Sequence, residues 1–186
     1  MTFYSVLLLA HIASAFLLFA GLALEWALIS FLRRNPDLAP FRAWGRLFSV
    51  APRFYGPAMG VILLSGGYLG AQMRAWDQGW IRISFATLVF IGLVGATLTA
   101  PRARAIRKLL AEASDSTLHL LQTRLQDPVL LVSVRIRVAL VFGVLLLMVS
   151  KVDLGPSLMV IACATALGVA IALPAWRRVP GAHTTS

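Results

Sequence analysis

The sequence predicts an all-α protein, a polytopic membrane helix bundle of five transmembrane helices: a four-helix core plus a fifth, forming a single domain over residues 1–178. Three observations carry this prediction. The 186 residues are 59% apolar and only 13% charged, with a mean hydropathy of +0.83, far above that of a water-soluble domain. A bilayer core about 30 Å thick needs roughly 20 apolar residues at a rise of 1.5 Å, and five such runs occur, at about 4–32, 55–73, 80–100, 129–150 and 157–176. The basic residues, finally, gather in alternate connections between these runs.

The net charge of +10 would suggest a nucleic-acid partner in a soluble chain. Here it reports topology, and no nucleic-acid partner is expected. Arg33, Arg34, Arg42, Arg46 and Arg53 lie between runs one and two; Arg102, Arg104, Arg107, Lys108 and Arg124 lie between three and four; Arg177 and Arg178 follow run five. The other side has Arg74, Arg82 and Lys151, close to Asp77 and Asp153. Lys and Arg accumulate on the cytoplasmic side of short loops. The N-terminus is therefore expected outside and the C-terminus inside, with the basic loops against an anionic inner leaflet. A lone cysteine, Cys163, inside an apolar run excludes an internal disulfide.

Run one begins without a basic leader and reads as a retained span. Its His11, Ser14, Leu18, Gly21 and Glu25 recur at alternating steps of three and four, which places them on one stripe, the expected inward face. His11 and Glu25 are about 21 Å apart along a helix and belong to separate sites. Run two carries Gly56, Gly60, Gly66 and Gly70 as two small-xxx-small pairs, and run three has Ser84, Gly92, Gly95 and Thr99 near one face. Such residues permit close helix contact. Pro52 and Pro57 are expected to kink the start of run two. Trp76 and Trp80 mark an outer headgroup level and Trp176 the inner one.

The segment 101–127 holds Ile106, Leu109, Leu110, Leu118, Leu121 and Leu125 at helical spacing among basic residues. It predicts two short amphipathic helices lying on the inner surface, broken at Ser114–Asp115–Ser116, with Pro128 opening the next span. Residues 179–186 read as a disordered tail.

Ionisable groups inside the bilayer cost about 2.5 to 3.5 kcal/mol on insertion scales and should find partners. For Glu25 the counter-charge is Arg135 or Arg137, which enter run four from the same side. Two residues apart, they point about 200° from each other, so one is expected to meet Glu25 and the other to snorkel. A packing pair and a site for solute, ion or proton transport both fit this pattern. His11 is the only span histidine, an imidazole able to ligate iron or copper, with Met59, Met73 and Met148 as thioether candidates. No phosphate loop, nucleophile elbow, zinc motif or carboxylate pair is present, so no catalytic set defines an enzyme.

Several short segments resemble a group of small bacterial membrane proteins: His11 with Phe19-Ala20-Gly21-Leu22, Arg46-Leu47 through Gly56-Pro57-Ala58-Met59 to Gly66-Gly67, Trp80-Ile81-Arg82, and Asp127-Pro128 leading to Ser150-Lys151. The group includes the membrane-bound protoporphyrinogen oxidase, the copper-resistance D domain and related predicted membrane proteins. The resemblance covers residues 1–154 and implies a four-helix bundle in the bacterial cytoplasmic membrane, with His11 as axial ligand to a haem. In the oxidase pattern a Lys stands where this chain has Ser84, beside Arg82. An outer-half pocket around His11, Tyr68, Arg82 and Ser84 is thus expected to take haem or another small ligand. The other readings are a transporter using Glu25 with Arg135 or Arg137, and an assembly protein that joins a membrane partner or a second copy of itself.

Overall fold

The computed structural model describes residues 2–34, 38–112 and 115–176. Among these residues the protein is helical throughout, without strands. The helices are α1 (Phe3–Arg34), α2 (Leu38–Gln72), α3 (Gly79–Val94), α4 (Ala100–Ala111), α5 (Asp115–Leu125), α6 (Pro128–Ser150) and α7 (Leu154–Trp176). A π-helical turn, Gly95–Thr99, joins α3 to α4 without a break. The expected disordered tail and the orientation-setting Arg177 and Arg178 lie outside the described residues.

Four stretches are long and apolar enough to cross a bilayer: Phe3–Arg34, Gly79–Ala111, Pro128–Ser150 and Leu154–Leu173. The second expected span, α2, is not among them, because glycines, prolines and Tyr dilute its apolar run. It nevertheless lies antiparallel along the whole of α1. Phe3 meets Tyr68 with ring centroids 5.6 Å apart, His11 meets Ser65, Gly21 lies under the Tyr55 ring, and Phe31 meets Trp44 at 5.4 Å. This pairing also explains why α2 starts at Leu38 instead of near Tyr55: the stretch expected to be loop is helix laid against the end of α1. Helix α2 continues through both Pro52 and Pro57.

Three apolar clusters stack along the bundle. At the arginine-rich end Leu28, Ile29 and Leu32 of α1 pack with Ile106, Leu121, Leu125 and Leu130. In the middle Leu18 and Leu22 meet Ile62, Ile91 and Val141. At the far end Trp80, Ile81 and Leu147 close the core.

The first cluster changes the reading of 101–127. The apolar faces of α4 and α5 cover the ends of α1 and α6, and α4 is a direct continuation of the third span. Ile106, Leu121 and Leu125 therefore bury against protein, while Leu120 stays exposed. Asp127 ties the segment to the next span: it accepts from Val129 N–H at 2.8 Å as the cap of α6, and from Arg102 Nε at 2.9 Å. Trp80 also departs from expectation. It is 7% exposed, packs on Leu147, and its indole N–H donates to Gln78 Oε1 at 2.6 Å, so it is a core residue and not a headgroup anchor.

Candidate intramembrane site

The inward stripe of α1 is buried at Ser14, Leu18, Gly21 and Glu25 and continues through Leu28 and Leu32. It delivers the Glu25 carboxylate into the bundle, 4% exposed, opposite Arg137 of α6, 5% exposed. Arg137 Nη1 stands 3.5 Å from Glu25 Oε2, at ion-pair distance but beyond a good hydrogen bond. The same Nη1 donates to Thr99 Oγ1 at 3.0 Å. Ser133 Oγ gives its proton to the Leu130 carbonyl at 2.9 Å, so the 3.1 Å contact between Thr99 and Ser133 runs with Thr99 as donor. A directed chain results, from Arg137 through Thr99 and Ser133 to a backbone carbonyl.

Two backbone features make this geometry. Gly95 leaves the space in which the guanidinium lies, since a Cβ there would stand 3.3 Å from Arg137 Cζ. The π turn adds a residue within the helix and carries Thr99 as its last member; such bulges are frequent at functional sites. From α2, Tyr55 seats its ring on Gly21 and hydrogen-bonds to the Glu25 carboxylate.

These groups line a cavity of about 270 Å³, with Glu25, Tyr55, Thr99, Arg107 and Arg137 as its polar members and Gly56, Gly92, Gly95, Ala96 and Ala100 giving it room. One carboxylate against two guanidiniums leaves it a net single positive charge. Glu25 Oε2 and Arg137 Nε are buried without a hydrogen-bond partner. Buried polar atoms usually have partners, and these two have none among the described residues.

Arg135 takes a different path. Its Nη1 donates to the carbonyls of Ile171 at 3.0 Å and Ala172 at 3.4 Å, near the end of α7.

The residues expected to form the outer pocket do not come together. His11 lines a cavity of about 140 Å³ with Gly66, Met73, Trp80 and Met148, but without Tyr68, Arg82 or Ser84. Tyr68 is exposed, accepts from Gln72 Nε2 at 2.9 Å and stacks edge-on with Phe3. Arg82 is exposed and donates to the Asp77 carbonyl at 2.9 Å. Ser84 is buried with its hydroxyl unpartnered. Of the thioether candidates, Met73 and Met148 line the His11 cavity, whereas Met59 lines the Glu25 cavity. His11 Nδ1 lies 3.0 Å from Ser65 Oγ, which donates to the Val61 carbonyl at 2.5 Å. At about 140 Å³, with the buried Trp80, Ile81 and Leu88 in its wall, the space at His11 is too small for a tetrapyrrole.

Sequence reasoning named Glu25 and both arginines but missed Tyr55, Arg107, Thr99 and Ser133 as members of the site. The available signal was positional. Tyr55 stands midway along α2 and Arg107 on the α4 continuation of α3, and both come level with Glu25 only once α2 is folded back along α1 and α4 is continuous with α3.

An all-helical chain with four bilayer-length apolar helices and a buried charge pair defines a multi-pass integral membrane protein. Residues 5–152 match the family model of predicted integral membrane proteins termed DUF2269, and the chain belongs to that family. The matched region ends at the α6–α7 turn, so α7 lies beyond it. No curated protein and no solved structure matches the chain.

Proposed function

We propose that this protein is a bacterial inner-membrane protein that binds a small organic anion in the Glu25–Arg137 cavity. In this reading α2 is a fifth span, because its side chains accompany α1 from Tyr68 to Trp44. Five crossings would put the termini on opposite faces, and the Lys/Arg bias supports an N-terminus outside and a C-terminus inside, with the arginine-rich cluster in the cytoplasm.

The observation that carries the reading is the buried pair itself. Glu25 and Arg137 face each other at 3.5 Å across a cavity of about 270 Å³, each with an unpartnered polar atom, and Arg107 tips the balance positive. A pair serving packing alone is more stable when every lone pair and proton is satisfied. Arg137 Nε is the unpartnered donor among the described residues, and with the surplus charge it suits a carboxylate or similar oxyanion; Glu25 Oε2, itself an acceptor, takes no part in holding an anion.

The test is thermal unfolding of detergent-purified protein with sodium benzoate, succinate or phosphate at constant ionic strength, each against sodium chloride. At least one anion raises the midpoint of the wild-type protein in a saturable way, and Arg107→Gln removes the shift while leaving the unliganded midpoint within a few degrees. If no anion stabilises the protein, or if the shift persists in Arg107→Gln, the reading fails.

A further inference from the structure

A further cavity lies away from the charge pair. It is a groove of about 550 Å³ on the bundle exterior between α6 and α7, with Trp26 of α1 along one side. Its floor is made of small residues, Ala139, Gly143 and Ala164; a Cβ on Gly143 would already stand 3.0 Å from Ala164 Cβ. Its rim is large and exposed: Phe142 52%, Leu146 53%, Met159 69% and Leu167 58%. Small residues at the helix crossing with large ones standing off it produce a trough that runs with the helices.

One end of this trough is charged. Arg135, half-buried, is the one charged residue of the lining. Its Nη1 is held by the Ile171 and Ala172 carbonyls, about one turn from the end of α7, which fixes the guanidinium at that depth. A guanidinium carries five N–H donors, and Nη2 has no partner among the described residues. From Arg135 to Leu146 the lining covers eleven helical steps, or about 16 Å at 1.5 Å per residue. Half the hydrocarbon thickness of a bilayer is about 15 Å. The trough is thus as long as the acyl region of one leaflet, with a cation at the end facing the arginine-rich surface.

From this match of length, apolar lining and terminal charge, we infer that the α6–α7 groove is a specific site for an anionic phospholipid of the arginine-side leaflet. One acyl chain lies along Phe142, Leu146, Met159 and Leu167, and the phosphate meets Arg135 Nη2. The inference is independent of the anion cavity, which lies on the other side of α6. It also gives α7, which lies beyond the family match, a role: without α7 the groove has one wall.

Cys163 lines the groove, is exposed and is the only cysteine in the sequence, so a bimane label reports from inside it without further mutation. The labelled protein is reconstituted in vesicles of phosphatidylcholine containing brominated phosphatidylglycerol, or brominated phosphatidylcholine at the same fraction. Preference for the anionic lipid is expected to be about fivefold, the factor one basic residue near an anionic headgroup supplies, and Arg135→Gln brings it to about one. Native mass spectrometry of unlabelled protein provides a second readout: phosphatidylglycerol adducts persist in wild type and diminish in Arg135→Gln. Equal quenching by both lipids overturns the inference, leaving ordinary annular contact. No quenching by either overturns it too, and places protein, such as a second copy, over the groove.

Discussion

Removing one member of the Glu25–Arg137 pair is the sharpest perturbation of the bundle. The two charges are 3.5 Å apart and about one-twentieth exposed. With an effective dielectric constant of about 20, their attraction is about 5 kcal/mol. That figure is not the net worth of the pair, because both ions were desolvated to make it. It does set what a lone survivor loses. Arg137→Met leaves the Glu25 carboxylate buried without its counter-charge and deprives Thr99 Oγ1 of the donor it accepts from; the expected destabilisation is about 3 to 5 kcal/mol. Glu25→Gln leaves Arg137 its bond to Thr99 and belongs at the low end of that range. The double variant Glu25→Gln/Arg137→Met has neither ion to strand, and is expected to recover at least half of the larger loss. Equilibrium unfolding by SDS titration in mixed micelles, on wild type, both single variants and the double, gives the coupling directly. Single losses under 1 kcal/mol that simply add in the double variant would refute the argument that this pair is electrostatically buried.

Other expectations follow from the packing. Gly21→Ala puts a Cβ into the Tyr55 ring and should cost about 1 to 3 kcal/mol in the same titration, with no comparable loss for Gly60→Ala, whose Cβ meets nothing within 4 Å. Ser133→Ala removes the acceptor of the Thr99 hydroxyl and should cost about 1 to 2 kcal/mol, while Ser150→Ala, on an exposed hydroxyl bonded to its own helix, should lie within about 0.5 kcal/mol of wild type. Leu125→Ala, at a fully buried position against the α1 and α6 ends, should cost about 2 to 5 kcal/mol and open α5 to limited proteolysis; unchanged cleavage within α5 would place α4 and α5 on the bilayer after all. Lys151 caps α6 in the left-handed region at φ 49°, so Lys151→Gly should stabilise by about 0.5 to 1 kcal/mol, and a loss would show that the lysine side chain has a role at that end.

The apolar runs were legible because the bilayer demands length, and length survives any choice of packing. Helix α2 was only half legible. Its first turns interleave Arg42, Arg46 and Arg53 with apolar residues and read as loop, but contacts such as Phe31 with Trp44 hold them helical. Local composition does not encode a partner helix. For the same reason 101–127 read as a surface segment: an amphipathic pattern specifies an apolar face and leaves open whether lipid or protein covers it. The stripe on α1 was readable since its polar members are sparse and regularly spaced. On α6 the choice between Arg135 and Arg137 was not, because that helix is apolar on every side and offers no contrast to show which face is inward. Glycine spacing misled in part: Gly56 and Gly60 form a small-xxx-small pair yet meet nothing, whereas Gly21, outside any such pair, lies under Tyr55. The residues missed at the site, Tyr55 and Arg107, sit where aromatic and basic side chains ordinarily serve as headgroup anchors.

The central claim, a positively biased cavity open to small anions, is tested most directly by charged thiol reagents. Gly56 lines the cavity, and a Cβ placed on it meets nothing within 4 Å, so Gly56→Cys in a Cys163→Ser background puts a reporter there at little cost to the fold. Its modification rates with an anionic and a cationic methanethiosulfonate, each normalised to the rate with free 2-mercaptoethanol, read the local potential. The account predicts faster modification by the anionic reagent, with the preference abolished by Arg107→Gln. Faster modification by the cationic reagent, or a preference that Arg107→Gln leaves unchanged, would contradict it.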